Sequence, residues 1–131
     1  MVASLSGAVD LPVAAYDLSW DGLQAGDRVF DHFTNGETVD VASVAQAYLW
    51  RNTAYPDNMK VGYDLPFADI IDGELKIVPR GVQACAGGHG VGQLDVSDAD
   101  KQAIRGRIGE LYAKIQAAYP DSPSNPFDKE V

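Results

Sequence analysis

Apolar residues follow two rhythms along this chain, and each predicts a different element. On either side of Asp72-Gly73 the side chains alternate between faces. Asp-Gly is a favoured two-residue hairpin turn, because both central positions of that turn take positive φ. Counting outward pairs Ile71 with Glu74, Ile70 with Leu75, Asp69 with Lys76, Ala68 with Ile77 and Phe67 with Val78. One face of the ribbon then carries Ala68, Ile70, Leu75 and Ile77, all apolar. The other sets Asp69 opposite Lys76, a cross-strand pair that contributes about 0.2–1 kcal/mol. A slip of one residue would scramble both faces, so the register is well specified.

Elsewhere the rhythm is helical. Ser19 is placed to cap a helix from about Asp21 to Phe33, with Leu23, Val29, Phe30 and Phe33 on related faces. Asn35-Gly36 stops it. Asp40 caps a second helix, roughly 41–52, in which Val41, Val44, Ala45 and Tyr48 make the stripe and Trp50 sits on its edge. Pro56, Asp57 and Asn58 mark a turn. Pro79 ends the hairpin and suits the first turn of a short helix running to about Ala86. Ser97 caps the last helix, with Asp98 and Asp100 where the helix dipole favours acids. Its stripe is Ile104, Ile108, Leu111, Ile115 and Tyr119, and Pro120 ends it. Gly106 and Gly109 inside it either admit another backbone or are simply tolerated.

A two-stranded ribbon is marginal alone and needs cover. The expected architecture is therefore α+β, with three or four helices packed against one β-hairpin and extended terminal arms. Residues 1–18 read as an extended N-terminal arm, 19–120 as a single globular domain, and 121–131 as an irregular C-terminal tail.

With 131 residues, one domain is the default and roughly two thirds of the unfolded surface can be buried. Nineteen acids against ten bases leave a net charge of −9, which repels a polyanion and argues against nucleic acid as a partner. No apolar run approaches the roughly twenty residues of a membrane span, so no membrane partner is expected. The N-terminal stretch lacks a basic region and is broken by Asp10 and Pro12, unlike a signal peptide. A single cysteine, Cys85, excludes an intramolecular disulfide.

Candidate chemistry is sparse. The glycine-rich stretch from Cys85 to Gly92 fails the phosphate-loop pattern for want of a lysine, and Gln93 stands where a dinucleotide fingerprint needs its third glycine. It reads as a helix end and a turn. Cys85 and His89 suggest a thiolate–imidazole pair, yet the glycines between them break the helix that would align them. A cysteine between Ala84 and Ala86 reads better as a small buried hydrophobe. Cys85, His89 and His32 lack the paired spacings of structural zinc. The acids from Asp95 to Asp100 lack the glycine and closing glutamate of a calcium loop. No catalytic residue, metal site or cofactor is therefore expected. The aromatics Trp20, Tyr48, Trp50, Tyr55 and Tyr63 have two readings, core packing for most of them or anchors of a protein interface. Trp20, Trp50, Tyr55 and Tyr63 are the candidate interface residues.

One resemblance adds to this. Trp20, then Y-x-L-P-F-A-D at Tyr63–Asp69, D-G-x-L at Asp72–Leu75 and V-P-R-G-V at Val78–Val82 form an ordered series. The helix that begins D-x-x-D-A-D-K at Asp95 and reaches L-Y-A-K at Leu111–Lys114 completes it. Over about residues 19–120 the chain resembles a small domain of tailed-phage head modules. Such domains occur in actinobacteriophages and prophages, often appended to or encoded beside the capsid maturation protease. The protease residues of that family belong to another domain and have no match here. The family also continues a longer helix where this chain has its glycines. The resemblance implies a non-enzymatic virion protein made in the host cytoplasm, a capsid decoration or minor capsid protein. Its partner would be the major capsid protein or another head protein, with self-association as a further option. The alternatives are a head-assembly factor or protein-binding module absent from the mature particle and, more remotely, a small Cys-dependent enzyme.

Overall fold

The computed structural model describes residues 3–87, 90–94 and 96–122. In chain order the elements are β1 (Ala3–Leu5), α1 (Gly22–His32), β2 (Thr34–Asn35), β3 (Thr38–Val39), α2 (Val41–Ala45) and β4 (Tyr48–Asn52). Then come β5 (Tyr63–Pro66), β6 (Ala68–Ile71), β7 (Glu74–Ile77), α3 (Pro79–Ala86) and α4 (Asp98–Ala118). The fold is α+β. The β6–β7 hairpin has the register that the turn dictates, from Ile71 opposite Glu74 to Ala68 opposite Ile77. Asp72 and Gly73 both take positive φ, 53° and 82°. Ala68, Leu75 and Ile77 are buried and Ile70 is half-buried.

Asp69 faces Lys76 in register, but its carboxylate is held elsewhere. α1 lies across β6, and Arg28 reaches over to give two parallel bonds, Nε to Oδ1 at 2.9 Å and Nη2 to Oδ2 at 2.6 Å. A planar guanidinium matches a carboxylate in a way an ammonium across the ribbon cannot. The fork takes the acid, and Asp69 is buried while Lys76 stays half-exposed.

The second helix is where the pattern misleads. α2 begins as expected at the Asp40 cap, whose carboxylate accepts from the Ser43 N–H at 3.3 Å. It stops at Ala45, and Tyr48–Asn52 form a strand instead. That strand is central in a sheet of order β1–β4–β5, antiparallel throughout. Tyr48, Leu49 and Trp50 are all buried. A short apolar run buried on both faces has no period of its own, so the stripe from Val41 extrapolates through it. The first helix also starts later than Ser19 implies. Asp21 is its cap, accepting from the Gln24 N–H at 3.2 Å.

The N-terminal segment, over its described residues, is fixed to this chain rather than free. β1 pairs with β4, Leu5 opposite Trp50. The Ser6 N–H bonds the Leu49 carbonyl at 2.8 Å, and Arg107 of α4 donates to the carbonyls of Ser6 and Gly7. Further on, Val13 lies parallel to Ile77, and the Tyr119 hydroxyl donates to the Ala14 carbonyl at 2.9 Å. From Pro123 onward the expected tail lies outside the described residues, as do Gly88, His89 and Asp95.

Phe67 stands between the two sheets. Its N–H donates to Ala47 at 3.0 Å, and its carbonyl accepts from Val78, also at 3.0 Å. One strand direction thus crosses from the three-stranded sheet into the hairpin at a single fully buried ring. α4 packs on α3, with Ile104, Ile108, Leu111, Tyr112 and Ile115 buried as one stripe. Ser97 caps it through its hydroxyl, 3.1 Å from the Asp100 N–H.

Gly106 on this helix is exposed, and a Cβ there would meet nothing within 4 Å. It therefore admits no neighbour and only weakens the helix. Gly106→Ala is expected to raise the unfolding free energy by about 1 kcal/mol, read by urea denaturation. A loss of stability would show that this position has a steric partner.

Candidate functional site

Two adjoining concavities lie where α1 meets β5. The first is a cleft of about 680 Å³. Leu23 and Gly26 of α1 form one wall, Tyr48, Tyr63 and Pro66 form the floor, and Val61 closes the far side. Its shape follows from local chemistry. The Asp21 cap fixes the first turn of α1 and leaves Leu23 outside the Ala25–Gly26–Val29 stripe that faces the core. A single 3₁₀ turn, Lys60–Gly62, projects Val61 outward. The Lys60 ammonium pairs with Asp27, which ties that turn to α1. Gly26 is needed beneath Tyr48, since a Cβ there would stand 2.4 Å from the phenol oxygen.

The exposure around this cleft is unusual in kind. Leu23 is 79% exposed, Val61 58%, Met59 47% and Tyr55 42%. These are four of the five large apolar side chains exposed among the described residues, the fifth being Leu5. Leu23 and Val61 line the cleft, while Met59 caps the 3₁₀ turn beside it and Tyr55 packs on Gly62 at the end of that turn. Single exposed apolar residues are ordinary, but such a group beside a concavity marks a contact surface. The floor is uncharged. Burial, and then the neighbouring Tyr63, pushes the Tyr48 phenol up to about 12. Tyr63 is raised too, chiefly by burial, and its hydroxyl donates to the Asp57 carbonyl at 2.7 Å. Phe30, Tyr48 and Tyr63 pack edge-on or tilted, with centroids 5.3–6.3 Å apart.

The second concavity, about 440 Å³, shares Gly22 and Pro66 with the first. Trp20, Leu65, Cys85 and Leu94 give it apolar walls, and Asp64 is its one charged side chain. Burial raises the Asp64 carboxyl above the ordinary aspartate value. Among the described residues nothing donates to that carboxylate. Beside it, Leu65 holds φ at 62°, a left-handed conformation that costs a non-glycine residue about 1–2 kcal/mol. Strain of this kind gathers at sites that bind or switch.

The unpaired acid gives a prediction. A carboxyl whose folded pKa is raised contributes stability below its unfolded pKa, and that contribution is lost as pH rises through the folded value. At neutral pH the ionised Asp64 therefore opposes folding. Asp64→Asn should be more stable than the native protein at pH 7, and the difference should shrink toward zero as pH falls to the ordinary aspartate range. Denaturant titrations from neutral pH down into that range read this directly; an advantage for the variant that persists or grows in acid would contradict it.

Of the four expected interface aromatics, two reach this region from the surface. Trp20 is half-buried and lines the smaller cavity, its indole seated over Gly81, where a Cβ would stand 3.1 Å from the ring. Tyr55 is exposed beside the cleft, next to Gly62. Trp50 and Tyr63 are buried: Trp50 is held in the central strand, and Tyr63 packs against Phe30 and Tyr48. Leu23, Val61 and Asp64 belong to the site; the sequence puts Leu23 on the packing face of its helix, although it is exposed, and singles out neither Val61 nor Asp64. Their signals are faint. Leu23 lies roughly a third of a turn off the Ala25–Val29 stripe, and Asp64 is a lone acid in an otherwise apolar strand.

Cys85 lines the smaller cavity but is not poised as a nucleophile. It is buried, its thiol donates to the Pro66 carbonyl at 3.2 Å, and burial pushes its pKa upward. A protonated, hydrogen-bonded thiol behaves as a small packing residue. His89 falls outside the described residues, and His32 is exposed with its ring edge-on to Phe33. Among the described residues no three His, Cys, Asp or Glu side chains gather as a metal ion would need. No helix among them is long and apolar enough to cross a membrane. Compared with family models, curated proteins and solved structures, the chain matches none.

Proposed function

We propose that this protein is a non-enzymatic component of a phage head, a capsid decoration or minor capsid protein, and that it binds the head lattice through the cleft between α1 and β5. The observation that carries the binding mode is the pair of exposed apolar side chains, Leu23 and Val61, lining a cleft with an uncharged floor, with Met59 and Tyr55 exposed at the adjoining 3₁₀ turn. The setting comes from the resemblance of residues 19–120 to domains of phage head modules. The partner in this reading is the major capsid protein.

The cleft is small and its apolar rim is short, so affinity per copy is modest. A lattice compensates, because many identical sites filled side by side tolerate weak single contacts. The N-terminal segment, bound along this chain's own strands, leaves the cleft as the better docking element. The buried, protonated Cys85 favours recognition over a thiol-dependent reaction.

Mass spectrometry of purified particles tests the reading. Copy numbers in fixed proportion to the major capsid protein are expected. Absence from mature heads, with presence in immature ones, would favour an assembly factor; absence from both would overturn the head reading altogether.

A further inference from the structure

We infer that the smaller cavity receives a basic side chain, a lysine or an arginine, from the partner protein. The inference rests on the recognition reading and names the partner's chemistry. Asp64 is the cavity's one charged group, and among the described residues its carboxylate has no donor. Trp20, Leu65, Pro66 and Leu94 line the same cavity, with the Gln93 amide as a further polar group. That combination suits a long cationic side chain. The methylene stem lies on apolar walls while the charged head meets the acid. The Trp20 indole in the same cavity wall adds attraction for a cation.

Other occupants fit less well. A neutral apolar group would bury Asp64 without a partner, which is costly. An anion would meet a like charge inside a chain of net charge −9. A cation finds complementarity in the cavity and in the protein's overall field. Because the two concavities share Gly22 and Pro66, one partner segment reaches both. Its basic side chain enters beside Asp64 and an apolar neighbour lies in the cleft at Leu23 and Val61.

The test uses the whole protein in solution and three probes: Nα-acetyl-lysine amide, Nα-acetyl-arginine amide and the neutral isostere Nα-acetyl-norleucine amide. NMR titration follows the Trp20 indole N–H and the Asp64 resonances. Saturable shifts are expected with the two basic amides, at least tenfold weaker with norleucine amide, and at least tenfold weaker for Asp64→Asn. That variant removes the charge while keeping the shape, and its spectrum checks the fold. Equal response to norleucine amide, an undiminished response in Asp64→Asn, or no response at all would overturn the inference. So would tighter binding of putrescine than of lysine amide, which would point to a free amine rather than a protein side chain. These titrations require no capsid. Failure of the head reading in particle mass spectrometry therefore leaves them intact, and their failure leaves that reading standing.

Discussion

Replacing Phe67 by alanine is expected to lower the unfolding free energy by about 3–5 kcal/mol, the usual cost of deleting a buried phenyl ring and leaving a cavity. Few positions carry so much of this fold. The ring is fully buried, and its backbone is bonded on one side to Ala47 and on the other to Val78. A Cβ on Gly7 would lie 3.0 Å from the ring edge, and one on Gly81 would lie 3.1 Å from the Phe67 carbonyl. The N-terminal segment, both main sheets and α3 therefore converge on one residue. Small domains have only about 5–15 kcal/mol to lose, so the variant should melt on the order of 10–20 °C below the native protein. Phe67→Leu should retain most of the stability, because it keeps the volume better. Urea denaturation with an unchanged m-value reads the difference. A cost below about 1 kcal/mol for Phe67→Ala, far under the usual range, would mean that the two sheets are joined by other contacts.

The second large effect concerns binding. On the proposed head-binding reading, the double variant Leu23→Asp with Val61→Asp is expected to lose at least a hundredfold in affinity for heads assembled from the major capsid protein. Both side chains line the cleft and are largely solvent-exposed. Apolar anchors at the centre of an interface carry most of its energy, and a charge placed there stays unpaired when water is excluded. On a lattice the loss is amplified, since weak single contacts are what multivalency multiplies. Stability serves as the control. Exposed substitutions of this kind change folding by about 0.5 kcal/mol or less, so the variant should melt with the native protein. Co-sedimentation with heads gives the occupancy directly. Native-like occupancy in the double variant would place the contact on another face.

How much of this is legible in sequence depends on how local each signal is. The β6–β7 hairpin is readable because its register is set by two residues, Asp72 and Gly73, and checked by the alternation beside them. The starts of α2, α3 and α4 are readable because Asp40, Pro79 and Ser97 act within one turn. The β1–β4–β5 sheet is not readable. Leu5 pairs with Trp50, and no local pattern announces a partner so far along the chain. The tyrosine and tryptophan of β4 continue a helical stripe that tertiary pairing overrides. Asp69 shows the same limit in electrostatics. Its cross-strand neighbour Lys76 is derivable, while Arg28, forty-one positions away, becomes its partner only once α1 lies across the strand.

The site follows the same logic. Apolar residues in a helical pattern read as core, so Leu23 joins the buried face on paper, although its offset from the Ala25–Val29 stripe is measurable. Aromatic residues suggest anchors, yet Trp50 and Tyr63 are what the sheet and the Phe30–Tyr48–Tyr63 cluster are built around. Trp20 reaches the surface only in part, because its ring packs over Gly81, where a Cβ would stand 3.1 Å away. The acid at Asp64, without a donor among the described residues, is a property of surroundings assembled from separate stretches of chain, and composition carries no trace of it.

A density map of the head at side-chain resolution tests the central claim most directly. This chain is expected on the lattice with Leu23 and Val61 within about 4 Å of capsid protein side chains and a basic residue of that protein beside Asp64. A chain seated by another face, with the α1–β5 cleft open to solvent, would contradict the proposed mode of binding.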